Sequence, residues 1–300
     1  MELQLFEDFI LCGVHYLSED VSCTLMSNFN IYSNNTSRHL GGVYSINRGV
    51  VTEDSSFFSL NFAVNYAGTI YIRNSGELNI LNSLFSGEGT NVWCGSIYLC
   101  ENSIILVINS SFENCKGRSG GVFYFEDHYN VTIFQSYFTG NEPYEGGVAI
   151  IDSSNNEFNL ISCIFMNTPV QNSLFSLSSA YGNIKFSSII SINVNCTFFD
   201  LINSVAYIEN SNYSEQYCQT STKGCICSIQ DSSISLKNVQ ITNITLNTEG
   251  SLFYSYNGLS LYLENIAVSL LGGISDCSCG NLMYSTMEII NSSFWSFEAT

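Results

Sequence analysis

Hydrophobic and polar positions recur along this chain with a period of about 26 residues, which is the range of solenoid repeats. Each repeat contains a glycine-led apolar strand, a second short apolar strand and a large apolar residue that we call the anchor. The clearest copy is the stretch from residue 120 to residue 141, GGVFYFEDHYNVTIFQSYFTGN. The predicted anchors are Phe29, Phe58, Phe85, Phe112, Phe138, Phe165, Ile190, Tyr213, Ile241, Val268 and Phe294.

Small and polar residues hold fixed places relative to the anchors. A polar residue often stands three before, as at Asn82, Asn109, Gln135, Asn210, Asn238, Asn265 and Asn291. Ser or Cys often stands two before, as at Ser56, Ser83, Ser110, Ser136, Cys163, Ser188, Ser211 and Ser292. A glycine stands 16 to 18 before at Gly13, Gly42, Gly68, Gly95, Gly121, Gly147 and Gly224.

The apolar runs have the length and the β-branched and aromatic content of strands, and none has a helical period over three turns. The unit is shorter than a propeller blade and lacks the spaced leucines of leucine-rich repeats. We therefore predict an all-β fold, a right-handed parallel β-helix of about eleven coils of ~26 residues, since parallel crossovers are overwhelmingly right-handed. Residues 1–300 are expected to form a single domain, as a piece of a longer solenoid or one that associates end to end.

The repeat also predicts how successive coils pack. Equivalent residues should stack about 4.8 Å apart, the spacing of hydrogen-bonded strands, so that anchors form an inward ladder. Glycine suits a corner where φ is positive or another backbone passes closely. Asparagine and serine tolerate turn conformations, and stacked asparagine side chains can bond one another along the axis.

Composition narrows the classes of partner. The net charge is −18 and only eight residues are Lys or Arg, without a basic patch, so nucleic acid and anionic lipid are not expected partners. No apolar run is long enough to span a membrane, and the N-terminus does not resemble a signal peptide. The acidic residues are interpreted as turn residues that solubilise the surface, as at Glu53, Glu126 and Glu142.

Twelve cysteines indicate an oxidising compartment. The C-x-C pairs at Cys225/Cys227 and Cys277/Cys279 lack the spacing of common zinc sites, so no metal is expected. Cys196 and Cys225 fall 17 and 16 residues before consecutive anchors and are predicted to pair as a disulfide across adjacent coils. By their places in the repeat, Cys115 and Cys163 are predicted to be buried and reduced.

Sequons for N-glycosylation occur at eight positions and would be candidate glycan acceptors if the chain is secreted. The repeat itself favours Asn followed by Ser, so sequons also arise without any selection for glycans. They occur at Asn34, Asn35, Asn109, Asn130, Asn195, Asn212, Asn243 and Asn291.

No catalytic constellation emerges from the residues. A glycoside hydrolase needs two carboxylates facing one bond, and we predict none in register on neighbouring coils. The basic residues do not gather in one column, as a lyase site would require. We therefore expect no catalytic residues and no cofactor.

Two motifs resemble those of a known family. The starts Gly41-Gly42-Val43, Gly120-Gly121-Val122 and Gly146-Gly147-Val148 resemble the GGA-[ILV] motif of chlamydial polymorphic membrane proteins. The pairs Phe58/Asn61 and Phe138/Asn141 resemble their F-x-x-N motif, with a variant at Ile190/Asn193. The same pairing is similar to that of long β-helical surface proteins of protists. The chain departs from the family in having Val where Ala stands in the motif.

The resemblance implies a rod displayed on a cell surface. We therefore expect a non-enzymatic, extracellular or surface-located structural and adhesive rod, with glycans or host cell-surface proteins as partners. The alternative is a carbohydrate-active β-helix, either a polysaccharide lyase or a glycoside hydrolase, because many parallel β-helices have such activities.

Overall fold

The computed structural model describes residues 15–17, 24–143, 147–153, 156–168, 173–194, 196–218, 224–246, 251–273 and 278–296. All regular elements in these ranges are strands, and every strand pairing is parallel, as between Phe112 and Phe138. The predicted parallel β-helix is confirmed. Within the described ranges, three sheets contain eleven strands each, and a fourth contains five; we name them sheets A to D.

Each coil contributes one strand to sheets A, B and C in turn, because strands adjacent in a sheet are about one repeat apart in the chain. Sheet A contains His15–Leu17, Tyr44–Asn47, Ile70–Arg73, Ile97–Leu99, Phe123–Glu126, Ala149–Asp152, Ser173–Ser178, Thr197–Ile202, Gly224–Gln230, Ser251–Tyr256 and Ser278–Met283. Sheet B contains Thr24–Asn28, Val50–Asp54, Glu77–Leu81, Ile104–Ile108, Asn130–Phe134, Glu157–Ile161, Ile184–Ser187, Val205–Glu209, Ser233–Lys237, Ser260–Glu264 and Met287–Ile290.

Sheet C carries the anchors, and sheet D is a short ladder that follows it in five coils. Sheet C contains Ile31–Ser33, Phe57–Ser59, Leu84–Ser86, Ser111–Glu113, Tyr137–Thr139, Ile164–Met166, Ile190–Ile192, Asn212–Cys218, Gln240–Leu246, Ala267–Gly273 and Ser293–Ser296. Sheet D contains Thr36–Ser37, Phe62–Ala63, Gly89–Thr90, Lys116–Gly117 and Glu142–Pro143.

The anchor column is a stack of aromatic rings inside the helix. Phe138 is buried, and its ring lies parallel to those of Phe112 and Phe165, with centroids 5.3 and 4.6 Å away. The stack continues through Phe85 to Phe58 with centroid separations of 4.8 and 4.3 Å. Offset-stacked rings combine large apolar burial with a favourable ring geometry, so this column is a main element of the core.

Two of the predicted anchors are wrong. Tyr32, not Phe29, pairs with Phe58, and the side chain of Phe29 is 80% exposed at a corner where its φ is 58°. Ser191, not Ile190, pairs with Phe165 and Tyr213. A shift of one residue turns a strand side chain to the opposite face, so Ile190 points outward and is 40% exposed.

Rings from sheet A compensate for the small serine in the anchor column. Phe175 contacts Phe165 edge-on at 5.2 Å, and Phe198 lies 4.3 Å from Tyr213. The aromatic core therefore continues past Ser191 although the stack itself is interrupted there.

The polar positions three before each anchor form the corner between sheets B and C, which we call the first corner. Every residue of this column adopts a left-handed backbone conformation, with φ of 49° at Asn82 and 48° at Asn109. Asparagine tolerates this conformation better than most residues. The Nδ2 of Asn109 donates to the Oδ1 of Asn82 at 2.8 Å, as expected for stacked asparagines. Residues two places after the anchors form another left-handed column, which includes Asn34 and Asn243. We call it the second corner.

Candidate functional site

The most distinctive surface feature is a column of tyrosines on the outer side of sheet A. Tyr71, Tyr98 and Tyr124 are paired residues of adjacent strands. Their neighbours on each strand point into the core, since side chains alternate between the two sides. The rings of Tyr98 and Tyr124 stack with centroids 5.0 Å apart and an interplanar angle of 4°. Tyr71 and Tyr98 stack at 5.5 Å.

Two further aromatic residues cover this column from the segments that precede the glycine-led strands. Trp93 lies edge-on to Tyr124 at 5.0 Å, and Tyr66 lies 5.0 Å from Tyr71 and 5.3 Å from Tyr98. The three sheet tyrosines are only 3 to 7% exposed beneath them, whereas Trp93 and Tyr66 are half-buried. We call these five residues the aromatic face. A ligand would therefore meet Trp93 and Tyr66 first.

Their segments are held in place by backbone bridges from coil to coil. Ala67 and Cys94, which follow Tyr66 and Trp93 in the chain, form a parallel bridge, and Cys94 forms another with Gly120. The amide of Cys94 donates to the carbonyl of Tyr66 at 3.0 Å. The covering aromatics are thus fixed by main-chain hydrogen bonds rather than by loop packing alone.

A pair of carboxylates adjoins the aromatic face. Glu126 and Asp152 are directly paired on adjacent strands of sheet A, two residues beyond Tyr124 and Ile150, and therefore on the same outer side. The Tyr98 hydroxyl donates to Oε2 of Glu126, and the Tyr124 hydroxyl donates to Oδ2 of Asp152 at 3.3 Å. The expectation that no two carboxylates stack in register was wrong, because Glu126 was interpreted as a turn residue.

Burial sets the protonation state of the tyrosines. It raises the pKa of Tyr98 and of Tyr124 well above the ordinary value, and the nearby carboxylates Glu126 and Asp152 raise it further. Both hydroxyls remain protonated at neutral pH and act as donors. The carboxylates keep further lone pairs, which could accept hydrogen bonds from a ligand.

The other edge of the face carries a thiol and a guanidinium group. The Tyr71 hydroxyl lies 3.6 Å from the Sγ of Cys100. Burial raises the pKa of Cys100 to about 12, so this cysteine is a thiol and a poor nucleophile at neutral pH. Arg73 follows Tyr71 on the same outer side, and its positive charge lowers the pKa of Tyr71 against the stronger effect of burial. Arg73 thus places a positive charge at the tyrosine column.

Two more carboxyl groups lie inside the helix and serve its structure. Glu53, expected in a surface turn, is buried and accepts hydrogen bonds from Tyr44 and, at 2.7 Å, from Ser56; burial raises its pKa. Glu88 occupies the place in its coil that Asn61 and Asn141 hold in theirs, and burial raises its pKa to about 8. Neither carboxyl group reaches the surface of the aromatic face.

The F-x-x-N motif has a structural explanation. The Oδ1 of Asn141 accepts from the main-chain N–H of Cys115 at 2.9 Å, while its Nδ2 donates to the carbonyl of Phe112 at 3.0 Å. The side chain of Asn61 likewise accepts from the N–H of Asn35 and donates to the carbonyl of Tyr32. These asparagines satisfy buried backbone groups of the preceding coil, so the motif is a feature of the solenoid.

Cys196 and Cys225 do not pair as predicted. Cys196 carries a thiol whose pKa burial raises, whereas Cys225 is disulfide-bonded. The register that pairs Phe199 with Cys227 would align Cys225 with Thr197, one residue beyond Cys196. One residue along a strand reverses the side-chain direction. Cys115 and Cys163 are buried and reduced, which confirms that prediction.

The described sequon asparagines differ in exposure. Asn35 and Asn130 are half-buried, and Asn195 lies outside the described residues. The exposed ones are Asn34, Asn109, Asn212, Asn243 and Asn291.

Among the described residues, no three of His, Cys, Asp and Glu come together as metal ligands. In the same part of the chain, no helix is long and apolar enough to cross a membrane.

No protein-family model and no curated protein matches the chain. Among solved structures, it is similar to the Siphovirus 9NA tailspike receptor binding domain, with 10% sequence identity and a TM-score of 0.27. That alignment covers 93% of this chain and 73% of the other. A likeness at this level does not bear on function.

Proposed function

We propose that this chain is a non-enzymatic rod displayed outside the cell, and that it adheres to neutral glycans through the aromatic face of sheet A. The observation that carries the proposal is the juxtaposition of half-buried Trp93 and Tyr66 with the paired carboxylates Glu126 and Asp152. Sugar rings present an apolar face and a rim of hydroxyls. Aromatic rings suit the former, and carboxylate acceptors suit the latter.

The charge of the protein indicates which class of glycan the aromatic face would bind. The chain has a net charge of −18, and Glu126 and Asp152 accept hydrogen bonds from Tyr98 and Tyr124, the two tyrosines that Trp93 contacts. A sulfated or uronic acid-rich glycan would be repelled at this end of the aromatic face, since like charges brought together at an interface cost binding energy, whereas the positive charge of Arg73 lies at the other edge, beside Tyr71. Neutral or amino sugars fit this surface.

The rigid setting also supports a binding role. Trp93 lies in a segment tied to the coils before and after it by backbone bridges at Cys94. Side chains that are already ordered lose little entropy when a ligand binds. A preformed platform of this kind is suited to repeated adhesive contacts.

A second candidate function is a carbohydrate-active β-helix, and one specific observation favours it. Glu126 and Asp152 are paired across strands that lie about 4.8 Å apart. Retaining glycosidases place their two carboxyl groups about 5 to 5.5 Å apart. Against catalysis, each carboxylate already accepts a hydrogen bond from a tyrosine hydroxyl.

The test is binding of the purified chain to a panel of neutral, amino and acidic glycans, followed by an assay for reducing-end release. Trp93→Ala should weaken binding by about tenfold or more, as for an aromatic hot spot. The matched control is Tyr207→Ala, since Tyr207 is an exposed aromatic residue on sheet B that should leave binding unchanged. Circular dichroism verifies that both variants fold.

The outcomes separate the two candidates. Binding without release of reducing ends, lost in Trp93→Ala, supports adhesion. Release that disappears in both Glu126→Gln and Asp152→Asn would establish the enzyme instead. Binding that is equal in Trp93→Ala and the parent chain would refute the aromatic face as the site.

A further inference from the structure

The structure groups the sequon asparagines on one side of the rod. Of the seven sequon asparagines in the described residues, six lie on sheet C or at the corners beside it. Asn130 is the exception, on sheet B. The six are Asn34, Asn35, Asn109, Asn212, Asn243 and Asn291. The sequence shows where sequons stand in the chain, but only the register of the coils brings them to a common side.

These six asparagines differ in the exposure and the hydrogen bonds of their side-chain amides. Asn212 lies on the outer side of sheet C and is exposed, and no described side chain bonds its side-chain amide. Asn243 is exposed at the second corner with a φ of 57°, and no described side chain bonds its amide either. Among the described residues, the side-chain amide of Asn34, at the same corner, bonds only the hydroxyl of its neighbour Ser33, at 2.7 Å. These three amides project from the rod.

Asn35 contrasts with its neighbour. Its main-chain N–H and its Nδ2 both donate to Oδ1 of Asn61, at 3.0 and 2.9 Å, and its side chain is half-buried. A sugar on Nδ2 would have to enter the contact with the next coil and displace Asn61. Asn61 in turn bonds the carbonyl of Tyr32 and the carboxyl group of Glu88, so the disturbance would reach buried groups.

We propose that N-linked glycans occupy Asn34, Asn212 and Asn243, that Asn35 stays unmodified, and that the glycans therefore line sheet C and leave the aromatic face of sheet A bare. This inference rests on the extracellular location in the proposed function. The donor is a lipid-linked diphospho-oligosaccharide. A bond forms between Nδ2 and the first sugar carbon, the bond from that carbon to the diphosphate oxygen breaks with its electrons on oxygen, and an amide proton passes to a base of the transferase.

The exposed apolar residues on this side fit the same arrangement. Ile190, which is 40% exposed, is directly paired with Asn212, so a glycan at Asn212 would cover it. Leu60 is an exposed apolar residue at the second corner, in the coil after that of Asn34. Glycans would shield both side chains from contact with other molecules.

The overlapping sequons at Asn34 and Asn35 permit a sharp test. The chain is expressed behind a secretion signal in a eukaryotic cell, and the occupancy of each asparagine in the folded, secreted fraction is measured by mass spectrometry after enzymatic deglycosylation. Thr36→Ala removes only the sequon of Asn34, and Ser37→Ala removes only that of Asn35. We expect Thr36→Ala to abolish the glycan in this segment and Ser37→Ala to leave it unchanged.

The inference stands if Asn34, Asn212 and Asn243 are each occupied in most molecules and Asn35 in fewer than about one in ten. It is overturned if Asn35 is occupied as often as Asn34, or if Asn212 and Asn243 are bare in the secreted protein. Glycan binding by unglycosylated protein from bacteria tests the proposed function separately. Its failure alongside the expected occupancies would leave the glycan arrangement intact, and the reverse result would leave the binding role intact.

Discussion

The carboxyl group of Glu88 accepts a hydrogen bond from the hydroxyl of Thr69 at 2.6 Å inside the β-helix. The same oxygen accepts from the main-chain N–H of Asn61 at 3.1 Å. Burial raises the pKa of Glu88 from 4.5 to about 8, which outweighs the lowering by these hydrogen bonds. At neutral pH the group is therefore mostly protonated, and the interior of the coil is mostly uncharged at this point.

A raised pKa in an acid has a definite sign for stability. The protonated form is favoured in the fold, so the contribution of Glu88 is complete below about pH 4.5 and is lost as the pH rises through about 8. The rise in pKa corresponds to on the order of 5 kcal/mol. We predict that Glu88→Gln, which keeps the accepting oxygen and removes the ionisation, makes the chain more stable than the parent at pH 9.

Thermal unfolding midpoints of both proteins at pH 5, 7 and 9 test this prediction. Glu53 also has a raised pKa and lowers the stability of both proteins as pH rises, so the difference between them isolates Glu88. A difference that stays constant from pH 5 to pH 9 would show that Glu88 does not titrate as described.

The stacked anchors predict a large effect of truncation. Phe138→Ala should lower the free energy of unfolding by roughly 3 to 5 kcal/mol, because it leaves a gap between the rings of Phe112 and Phe165. Phe29→Ala is the control, since that ring is 80% exposed and its loss should cost less than about 0.5 kcal/mol. Denaturant unfolding measures both, and equal losses would mean that the anchor column is wrongly placed.

The sequence predicted which residues stack from coil to coil more reliably than it predicted which side of a strand each residue faces. The period located most anchors, because a repeated aromatic residue such as Phe112 or Phe138 marks the same inward place in each coil. Phe29 was misplaced because an aromatic residue stands at a corner where later coils have Asn, Gln or Ser. The period alone does not distinguish these two positions, which lie three residues apart.

The aromatic face could not be predicted for a different reason. Nothing in the repeat distinguishes Tyr98 and Tyr124 from the other residues of their apolar runs, and Glu126 was interpreted as part of a turn. Whether a residue faces in or out depends on the strand bounds to a single residue. Contact between Trp93 and Tyr124 further requires the fold of the segment between sheets C and A, on which the repeat gives little information.

Gly42, Gly68 and Gly95, which precede strands of sheet A, are required by close packing rather than by backbone torsion. A Cβ added to Gly68 would lie 2.1 Å from the carbonyl oxygen of Gly95 in the next coil and 2.6 Å from the amide of Gly89. Backbone atoms cannot move aside cheaply, so we predict that Gly68→Ala destabilises the chain by about 2 kcal/mol or more.

Gly89→Ala is the matched variant, because its added Cβ would meet only ordinary contacts, at 3.5 Å from Phe62 and 3.8 Å from Lys116. Its unfolding free energy should change by less than about 1 kcal/mol. If both variants lose the same stability by denaturant titration, the stacking of glycine on glycine does not explain this column.

The cysteines give a prediction with a chemical readout. Cys115, Cys163 and Cys227 are buried thiols, and burial raises the pKa of Cys163 to about 12. Thiolates are the reactive form, so alkylating reagents should label these residues slowly in the native protein and fully after unfolding in denaturant without reductant. Cys196 should be labelled under the same denaturing conditions, because it also carries a thiol. Cys225 should be labelled only after a reductant is added, because it is disulfide-bonded.

Peptide mapping by mass spectrometry distinguishes the two states residue by residue. A peptide that links Cys196 to Cys225 would contradict this assignment and would require the strand Thr197–Ile202 to shift by one residue against Gly224–Gln230.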